Sequence, residues 1–230
     1  MKRWKVIFVG CHPDDIEIGC GGSVSLLVSL GFEVICVFLT RGEHGGEPAV
    51  REAESRRACR RLGVTVGNIF FGDFPDTAVR DSHETIAFLE GFATGSVWGV
   101  FVPSRHETHQ DHRHASEACL SAFRRVTRIL AYESPSVTPE FQPNAFIRIN
   151  GHLARKWGAL KCHRSQIVQG NKMYLQYRSV IRMAEYRGQQ NAVDYAEVFE
   201  ALRLQIEPDR NGRIWQPHTR RGSGSSSRLV

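Results

Sequence analysis

The sequence predicts a single α/β domain: a Rossmann-like open, mostly parallel sheet with helices on both faces. Short apolar runs alternate with helical patterns through the first two thirds of the 230 residues, as in βαβ units. Such repetition is typical of a parallel sheet covered on both faces. Hydrophobic residues make up 41% and charged residues 23%, which is enough for a core and excludes disordered or collagen-like chains.

Five strands are predicted from short apolar runs, the second of them rich in β-branched residues. They lie at residues 6–10, 33–39, 68–71, 97–102 and 145–149. The helical patterns between and after them predict helices at about residues 21–30, 50–62, 82–92, 112–125, 151–161 and 172–187. The second helix ends at Gly63, a typical helix terminator. The pattern is less regular after residues 129–132, and residues 196–204 fit either a strand or a helix.

The net charge of +6 is concentrated at the end of the chain. Residues 210–230 contain five arginines, no acid and a Gly/Ser-rich stretch, whereas residues 1–209 carry a net charge of only +1. A nearly neutral body lacks the basic surface that nucleic acids require, so we expect no nucleic-acid partner. We predict one domain over residues 1–209 and a disordered basic tail over residues 210–230.

The six cysteines form no Cys-x-x-Cys pair, and several lie in apolar runs. We expect them to be reduced core residues. The apolar segment at residues 6–9 is too short for a signal peptide, and no run approaches the roughly 20 residues that cross a bilayer. These observations predict a cytoplasmic protein without a membrane span. The oligomeric state stays open, with a homo-oligomer among the alternatives.

A polar motif follows the first predicted strand directly. It reads His12-Pro-Asp14-Asp15 and continues to Gly19-Cys-Gly-Gly22. Ligands of open α/β sheets bind at the carboxyl ends of strands, where this motif lies. Neighbouring carboxylates on a turn point in different directions, so one can bind a metal while the other faces its water. The glycines are expected to let a helix N-terminus approach closely.

Two other interpretations of this motif exist. Pro-Asp-Asp is a loop and helix-start signal without any ligand. A dinucleotide-binding loop is disfavoured, because the Gly-x-Gly-x-x-Gly spacing is absent and two acids would repel a pyrophosphate.

A histidine cluster follows the fourth predicted strand. His106, His109, His112 and His114, four of the ten histidines, lie within nine residues. Such a cluster is typical of metal binding or proton transfer. At the ends of two parallel strands, the cluster and the first motif can meet at one ion. Two histidines and one carboxylate that leave a position for water are the pattern of catalytic hydrolytic zinc.

The two motifs resemble those of zinc-dependent N-deacetylases that remove acetyl from N-acetylglucosamine derivatives, the LmbE-like or PIG-L-like family. The resemblance covers roughly residues 5–204. Gln110 stands where proline is common in that family, and His106 and His114 are extra to its pattern. The segments that carry the resemblance, besides the first motif, are His109-x-Asp111-His112, Thr40-Arg-Gly-Glu43, Arg51-x-x-Glu54, Pro75-Asp76, His163-Arg-Ser-Gln166 and Tyr195-Ala-Glu197.

The resemblance implies metal-dependent hydrolysis of an N-acetyl group from an amino-sugar substrate, giving a free amine and acetate. His12, Asp15 and His112 would hold the metal. The metal is zinc by resemblance, although this ligand set also suits iron(II) or another divalent ion.

The resemblance also assigns the catalytic groups. Asp14 would be the general base. A cationic His109 would stabilise the oxyanion, while Asp111 would hold the His109 ring and raise its pKa. A helix N-cap is a second role for Asp111.

Arg51 and Asp76 are the expected substrate contacts, since a guanidinium suits a phosphate or hydroxyl and a loop carboxylate suits sugar hydroxyls. For Arg51, a surface charge paired with Glu54 is an equally good interpretation. His163 fits a structural role better than a catalytic one. Two other functions stay open: an amidase of this family acting on another acyl group or a non-sugar amine, and a non-catalytic domain that binds metal or sugar.

Overall fold

The structure is a computed structural model that describes residues 4–169 and 172–205. The predicted tail at 210–230 lies outside the described residues. In the described part, seven strands form one sheet. The strands are Lys5–Gly10 (β1), Glu33–Phe38 (β2), Ile69–Phe71 (β3), Val97–Pro103 (β4), Arg128–Tyr132 (β5), Ala145–Arg148 (β6) and Ala196–Leu204 (β7).

Six α-helices accompany the described sheet. They are Asp15–Ser29 (α1), Pro48–Leu62 (α2), His83–Glu90 (α3), Gln110–Ala122 (α4), Leu153–Leu160 (α5) and Tyr177–Gln189 (α6). None of the helices in the described residues is long and apolar enough to cross a membrane. The six cysteines, all of them described, are free, and five are buried.

The sheet has the strand order β3-β2-β1-β4-β5-β7-β6. The first five strands run parallel, and only β7 runs against its neighbours β5 and β6. The predicted fold class is therefore confirmed. The chain leaves β1 towards β2 on one side and returns to β4 on the other, so a crevice opens at the carboxyl ends of β1 and β4.

Alternate side chains of the parallel strands supply two apolar layers. Val6 and Phe8 of β1 pack in a layer covered by α1, α2 and α5. Ile7 and Val9 pack in the opposite layer, covered by α3 and α4. Burial on both faces explains why these strands appear as continuous apolar runs rather than alternating ones.

Helix α1 begins at Asp15, six residues before the predicted start at residue 21. The glycines of the first motif all lie inside the helix, whereas the predicted helix included only Gly21 and Gly22. A Cβ on Gly19 would lie 2.4 Å from the Tyr132 ring, and one on Gly22 would lie 2.7 Å from Ile149. The expected role in helix N-terminal approach is wrong, because these glycines admit β5 and the residue after β6 to the side of α1.

Strand β7 resolves the ambiguity at residues 196–204, since it pairs with both β5 and β6. Its residue Glu197 accepts hydrogen bonds from the backbone N–H of Gly22 at 2.8 Å and of Ser23 at 2.7 Å. The Lys156 ammonium of α5 donates to Glu197 and to the Ile18 carbonyl, both at 2.6 Å. This buried ion pair is fully bonded and ties β7 and α5 to α1.

The packing of Gly22 predicts a stability difference between two helical glycines. Gly22→Ala places a methyl against the branched Cβ of Ile149, which cannot rotate away, and should cost about 1–3 kcal/mol. Gly158→Ala in α5 is the matched control, because no described atom lies within 4 Å of its added Cβ. Removing a helical glycine there should stabilise by about 0.5–1 kcal/mol. Denaturant unfolding measures both, and equal stabilities would contradict the packing.

Candidate metal centre and active site

Three donor atoms from the two motifs meet beyond the ends of β1 and β4. His112 Nε2 lies 3.1 Å from Asp15 Oδ2 and 3.3 Å from His12 Nδ1. His12 Nδ1 lies 3.5 Å from Asp15 Oδ2. The Asp15 carboxylate is fixed by the backbone N–H groups of Cys11 and His12, which both donate to it at 2.8 Å.

The spacing of these atoms fits a tetrahedral metal ion. Ligands bound to zinc at its usual bond lengths lie about 3.3 Å apart. Cys11 Sγ also lies within 4.8 Å of the Asp15 and His112 donor atoms. Burial raises the pKa of the Cys11 thiol well above its usual value, and nearby carboxylates add to this. His12 Nδ1 lies at about this spacing from both other donor atoms, 3.5 Å from Asp15 Oδ2 and 3.3 Å from His112 Nε2, so the geometry favours His12 as the third donor.

Carboxylates face the outer nitrogen of the His12 ring. His12 Nε2 lies 3.0 Å from Asp76 Oδ1 and 3.2 Å from Asp111 Oδ2. Carboxylates in this position orient ligating histidines in metal sites. Asp76 was expected to contact sugar hydroxyls, and Asp111 to hold His109. The structure instead turns both carboxylates to His12, because the loop after β3 packs against the start of α4 and Thr77 N–H donates to Asp111 at 2.8 Å.

Glu107 occupies the corresponding position beside His112, and the sequence argument had missed it. Its Oε2 lies 3.1 Å from His112 Nδ1 and accepts a hydrogen bond from the Ser134 hydroxyl. The side chain is buried. The signal available in the sequence was an acidic residue five positions before the candidate ligand His112, in the segment that follows β4. The second contact comes from Ser134 in the loop after β5, which the sequence pattern does not reveal.

Opposite charges in this cluster shift each other's pKa. Burial alone would lower the pKa of His12, but Asp111, Asp15 and Asp76 raise it well above its usual value. Burial also opposes the charge on His112, yet Asp15 and Glu107 raise its pKa to about 9. Burial would raise the pKa of Asp76 and Glu107, whereas the adjoining rings hold each at about 2. The excess of carboxylates over imidazoles gives the site the charge that a divalent cation requires.

Asp14 stands apart from the three donor atoms. Its carboxylate is buried at the wall of the cleft, and its Oδ2 accepts no hydrogen bond from any described residue. Burial raises the pKa of Asp14, with Arg51 and Lys172 opposing. A carboxylate with a free lone pair and a raised pKa has the properties of a proton acceptor.

His109 caps helix α4, and this fixes its tautomer. Its Nδ1 accepts a hydrogen bond from the Asp111 backbone N–H at 3.2 Å, so Nε2 carries the proton. Burial lowers the pKa of His109, and the rings of His12 and His112 lower it further. The expected cationic ring held by the Asp111 carboxylate therefore differs from the structure. His109 is a neutral ring that caps the helix by accepting from the main chain of Asp111, which leaves its Nε2–H as a donor.

Arg51 is buried, with 3% of its surface exposed, and is not the surface charge expected beside Glu54. Its Nη1 donates to the Gly42 carbonyl at 2.8 Å, and its Nη2 donates to the Pro13 carbonyl at 2.6 Å. Glu54 instead accepts hydrogen bonds from the backbone N–H and hydroxyl of Ser165. The guanidinium forms part of the cleft wall, and its Nε has no hydrogen-bond partner among the described residues.

Three other histidines that the sequence analysis named lie outside the described lining of the cleft. His163 is fully buried 3.2 Å from Glu17, in keeping with a structural role. His114 pairs with Asp81 on the surface at 3.0 Å. The backbone of His106 donates to the Ser104 hydroxyl at 3.0 Å.

The cleft above the donor atoms has a volume of ≈ 430 Å³, within the usual range for small-molecule sites. Lys172 and Tyr174 wall one side, and His44 and Thr77 wall another. Lys172 Nζ lies 3.8 Å from Asp14 Oδ2. Polar groups thus surround the cleft on several sides, as a hydroxyl-rich ligand requires.

Metal affinity should depend on pH in a way that these pKa shifts set. A ligating histidine must be neutral, and His112 without metal stays protonated until the pH passes about 9. Zinc affinity should therefore rise between pH 6 and about 9, by up to about tenfold per pH unit for each proton displaced, and then level off. Competition titration with a chromophoric chelator measures this.

Glu107→Gln is the matched variant for this measurement. It removes one carboxylate that raises the pKa of His112, so the plateau should begin at lower pH. The loss of a ring-orienting partner should also weaken the plateau affinity by about 10- to 100-fold. A wild-type affinity that is flat over this pH range would show that His112 is not a ligand.

Comparison with known proteins finds a matching family model and relatives that cover most of the chain. The family model described as PIG-L, GlcNAc-PI de-N-acetylase, matches residues 7–123. An uncharacterised deacetylase of Escherichia coli, YaiS, is 32% identical over 71% of this chain and 92% of its own length. The diacetylchitobiose deacetylase of Thermococcus kodakarensis is 28% identical over 84% of this chain and 81% of its own.

A solved structure shares the fold. A conserved protein of Thermus thermophilus superposes with a TM-score of 0.76 at 28% identity, covering 89% of this chain and 97% of its own. The family match extends over just over half of the 230 residues and includes both motifs. Since one relative also exceeds 30% identity over most of its own length, this chain belongs to the PIG-L family, also called LmbE-like.

Proposed function

We propose that this protein is a metal-dependent N-deacetylase that hydrolyses the acetamido group of an N-acetyl amino sugar. The observation that carries the proposal is the meeting of three donor atoms, spaced as around one ion, beside a buried carboxylate with a free oxygen. A deacetylase relative that is 32% identical supports the reaction type. A relative named for diacetylchitobiose supports a sugar substrate.

His12, Asp15 and His112 are the residues that would hold the metal, with zinc as the ion that their donor set favours. A zinc ion there would supply a Lewis acid that acidifies a water and polarises the amide carbonyl. Carboxylates orient both histidine rings through the nitrogens that are not proposed as metal donors. Asp76 and Asp111 contact His12, and Glu107 contacts His112.

Asp14 is the proton acceptor in this proposal. The Asp14 carboxylate takes a proton from the attacking water and passes it to the amide nitrogen as the C–N bond breaks. The second proton of the water passes from the acetic acid that forms to the amine, so the products are acetate and the protonated amine, and atoms and charge balance. Desolvation raises the pKa of Asp14, which makes the carboxylate a stronger base than an exposed one.

His109 is the hydrogen-bond donor to the oxygen that becomes negative. Its Nδ1 is occupied by the Asp111 backbone N–H, so a neutral Nε2–H remains for the carbonyl oxygen. A donor held in place before the reaction stabilises the tetrahedral transition state without reorganisation. The neutral ring supplies this bond without any proton transfer of its own.

The proposed activity is tested by acetate release from metal-free and metal-loaded protein. Substrates are N-acetylglucosamine and N,N′-diacetylchitobiose, with N-acetyl-lysine as the non-sugar control. A chelator should abolish release, and zinc, cobalt or iron(II) should restore it. Full activity of protein shown by elemental analysis to be metal-free would refute the mechanism. Faster release from N-acetyl-lysine would identify an amidase for non-sugar amines instead.

The proposed roles of Asp14, Asp15 and His109 can be distinguished by measuring the metal content and turnover of three variants. Asp14→Asn should keep the metal and lose about 10²- to 10⁴-fold in kcat, because the proton acceptor is gone. Asp15→Asn should lose metal, since a neutral amide is a poorer ligand than a carboxylate. His109→Ala should keep metal and lose about 10²- to 10³-fold in kcat.

Two results would reverse these assignments. If Asp14→Asn lost its metal while Asp15→Asn kept it, the two carboxylates would have exchanged roles. If Asp14→Asn kept both metal and turnover, the proton acceptor would be another group.

A further inference from the structure

A second, smaller cavity, the side pocket, opens beside the cleft between α1, the loop after β5, α6 and β7. Its volume is ≈ 100 Å³, roughly two thirds of that of an engineered apolar cavity of about 150 Å³ that binds benzene. The cleft and the side pocket share four lining residues, Ile18, Ser134, Pro135 and Tyr174. The two cavities therefore adjoin, and a ligand that occupies the cleft can extend into the side pocket.

The shared walls lie next to the groups that are proposed to react. Ile18 follows Asp14 by about one helical turn, and its backbone N–H donates to the Asp14 carbonyl at 2.9 Å. The Ser134 hydroxyl donates to Glu107, which contacts His112. A substituent only a few atoms away from the scissile amide can therefore reach the side pocket.

The charged side chains that line the side pocket neutralise each other. Lys156 donates to Glu197 at 2.6 Å, and Arg187 Nε donates to Glu133 at 3.1 Å. Glu197 also accepts hydrogen bonds from two backbone N–H groups of α1. Among the described lining residues, both acids and both bases are therefore engaged in ion pairs, and the side pocket offers no unpaired charge to a ligand.

The rest of the lining is mainly apolar. The Ser134 and Ser179 hydroxyls line the side pocket but donate elsewhere, to Glu107 and to the Met173 carbonyl. A polar group buried there without hydrogen bonds would be unfavourable, whereas an apolar cavity readily takes an apolar group. The apolar side chains of the wall include Ile18, Val180, Met183, Ala184, Ala196 and Val198.

We propose that the side pocket is a subsite for an apolar group of about four carbons that the amino-sugar substrate carries. The polar part of the cleft, with His44, Asp76 and Thr77, takes the sugar ring, and the side pocket takes its alkyl substituent. The substituent is either an aglycone on the anomeric carbon or an N-acyl chain longer than acetyl. The inference rests on the proposed function and adds a substrate class to it, amino sugars with a short alkyl group.

Two pairs of substrates test the subsite and identify the source of the alkyl group. The first pair is the methyl and butyl β-glycosides of N-acetylglucosamine, and the second is N-acetylglucosamine and N-pentanoylglucosamine. The longer member of each pair adds three methylenes, and burying each methylene is worth about fourfold in binding. We expect kcat/KM for amine release to rise by about 10- to 60-fold in the first pair for an aglycone subsite, or in the second for an acyl subsite. A rise in neither pair would overturn the proposal.

Variants of the lining show whether the preference for the longer substrate arises in the side pocket. Val180→Phe fills the space with a ring and should bring the ratio of the two kcat/KM values to about 1. Met183→Lys places a charge at the edge of the side pocket, where the side chain is 48% exposed, and should lower the ratio several-fold even if Val180→Phe does not fold. Met173→Lys is the matched control, since Met173 is exposed and lines neither cavity. A ratio that survives both lining variants, or falls equally in the control, would overturn the assignment.

Equilibrium binding separates this inference from the proposed function. The four compounds are titrated by calorimetry into zinc-loaded Asp14→Asn protein, which is expected to keep the metal and turn over slowly. Tighter binding of a longer compound by about 10- to 60-fold, with no amine release by the wild type, would refute the proposed function and leave the subsite standing. Amine release by the wild type without any preference for a longer compound, in turnover or in binding, would overturn the subsite and leave the deacetylase standing.

Discussion

The structure depends on burying a group of carboxylates around two imidazole rings at the carboxyl ends of β1 and β4. Isolated buried charges are costly, and they are tolerated only when paired and hydrogen-bonded. Parallel pairing of β1 with β4 places one histidine motif beside the other, and each ring is contacted by carboxylates on both nitrogens. The remaining surplus of negative charge makes the site a receptor for a cation. The crevice at the switch point of the sheet leaves this receptor open to a ligand.

Close approach of backbone segments is the second requirement, and glycine satisfies it in two places. In α1, Gly19 and Gly22 admit Tyr132 and Ile149 to the helix, which sets the helix against the sheet immediately after the first motif. In the loop after β2, Gly42 and Gly45 enclose Arg51. Both sets serve protein packing, although a glycine-rich segment beside a polar motif suggests a ligand when seen in sequence. Helix α1, which carries Asp15, is thereby held against β5 and against the residue after β6.

Sequence patterns predicted the fold and the motifs more completely than the contacts of individual side chains. Alternating apolar and helical segments predicted a parallel sheet, because burial on both faces determines strand composition locally. The start of α1 was predicted six residues late, and the contacts that favour glycine inside this helix come from β5 and the residue after β6. Glu107 was missed, while Asp76 and Asp111 were given to the substrate and to His109. Which histidine ring a carboxylate faces depends on how two loops pack against each other, and the sequence alone does not show this packing.

The sequence by itself determined the fold class, the two motifs and their place at the ends of β1 and β4, because the alternation of strands and helices and the chemistry of the motifs follow from local composition and spacing. Tertiary structure alone decided that Asp76 and Asp111 turn to His12, that His109 is a neutral cap of α4, and that Arg51 is enclosed beneath Asp14. Apart from the local capping bond of His109 to Asp111, these features depend on segments distant in sequence, such as the loops after β2 and β3. Hydrogen-bond partners across such distances are selected by packing and charge compensation, which act only once the chain has folded.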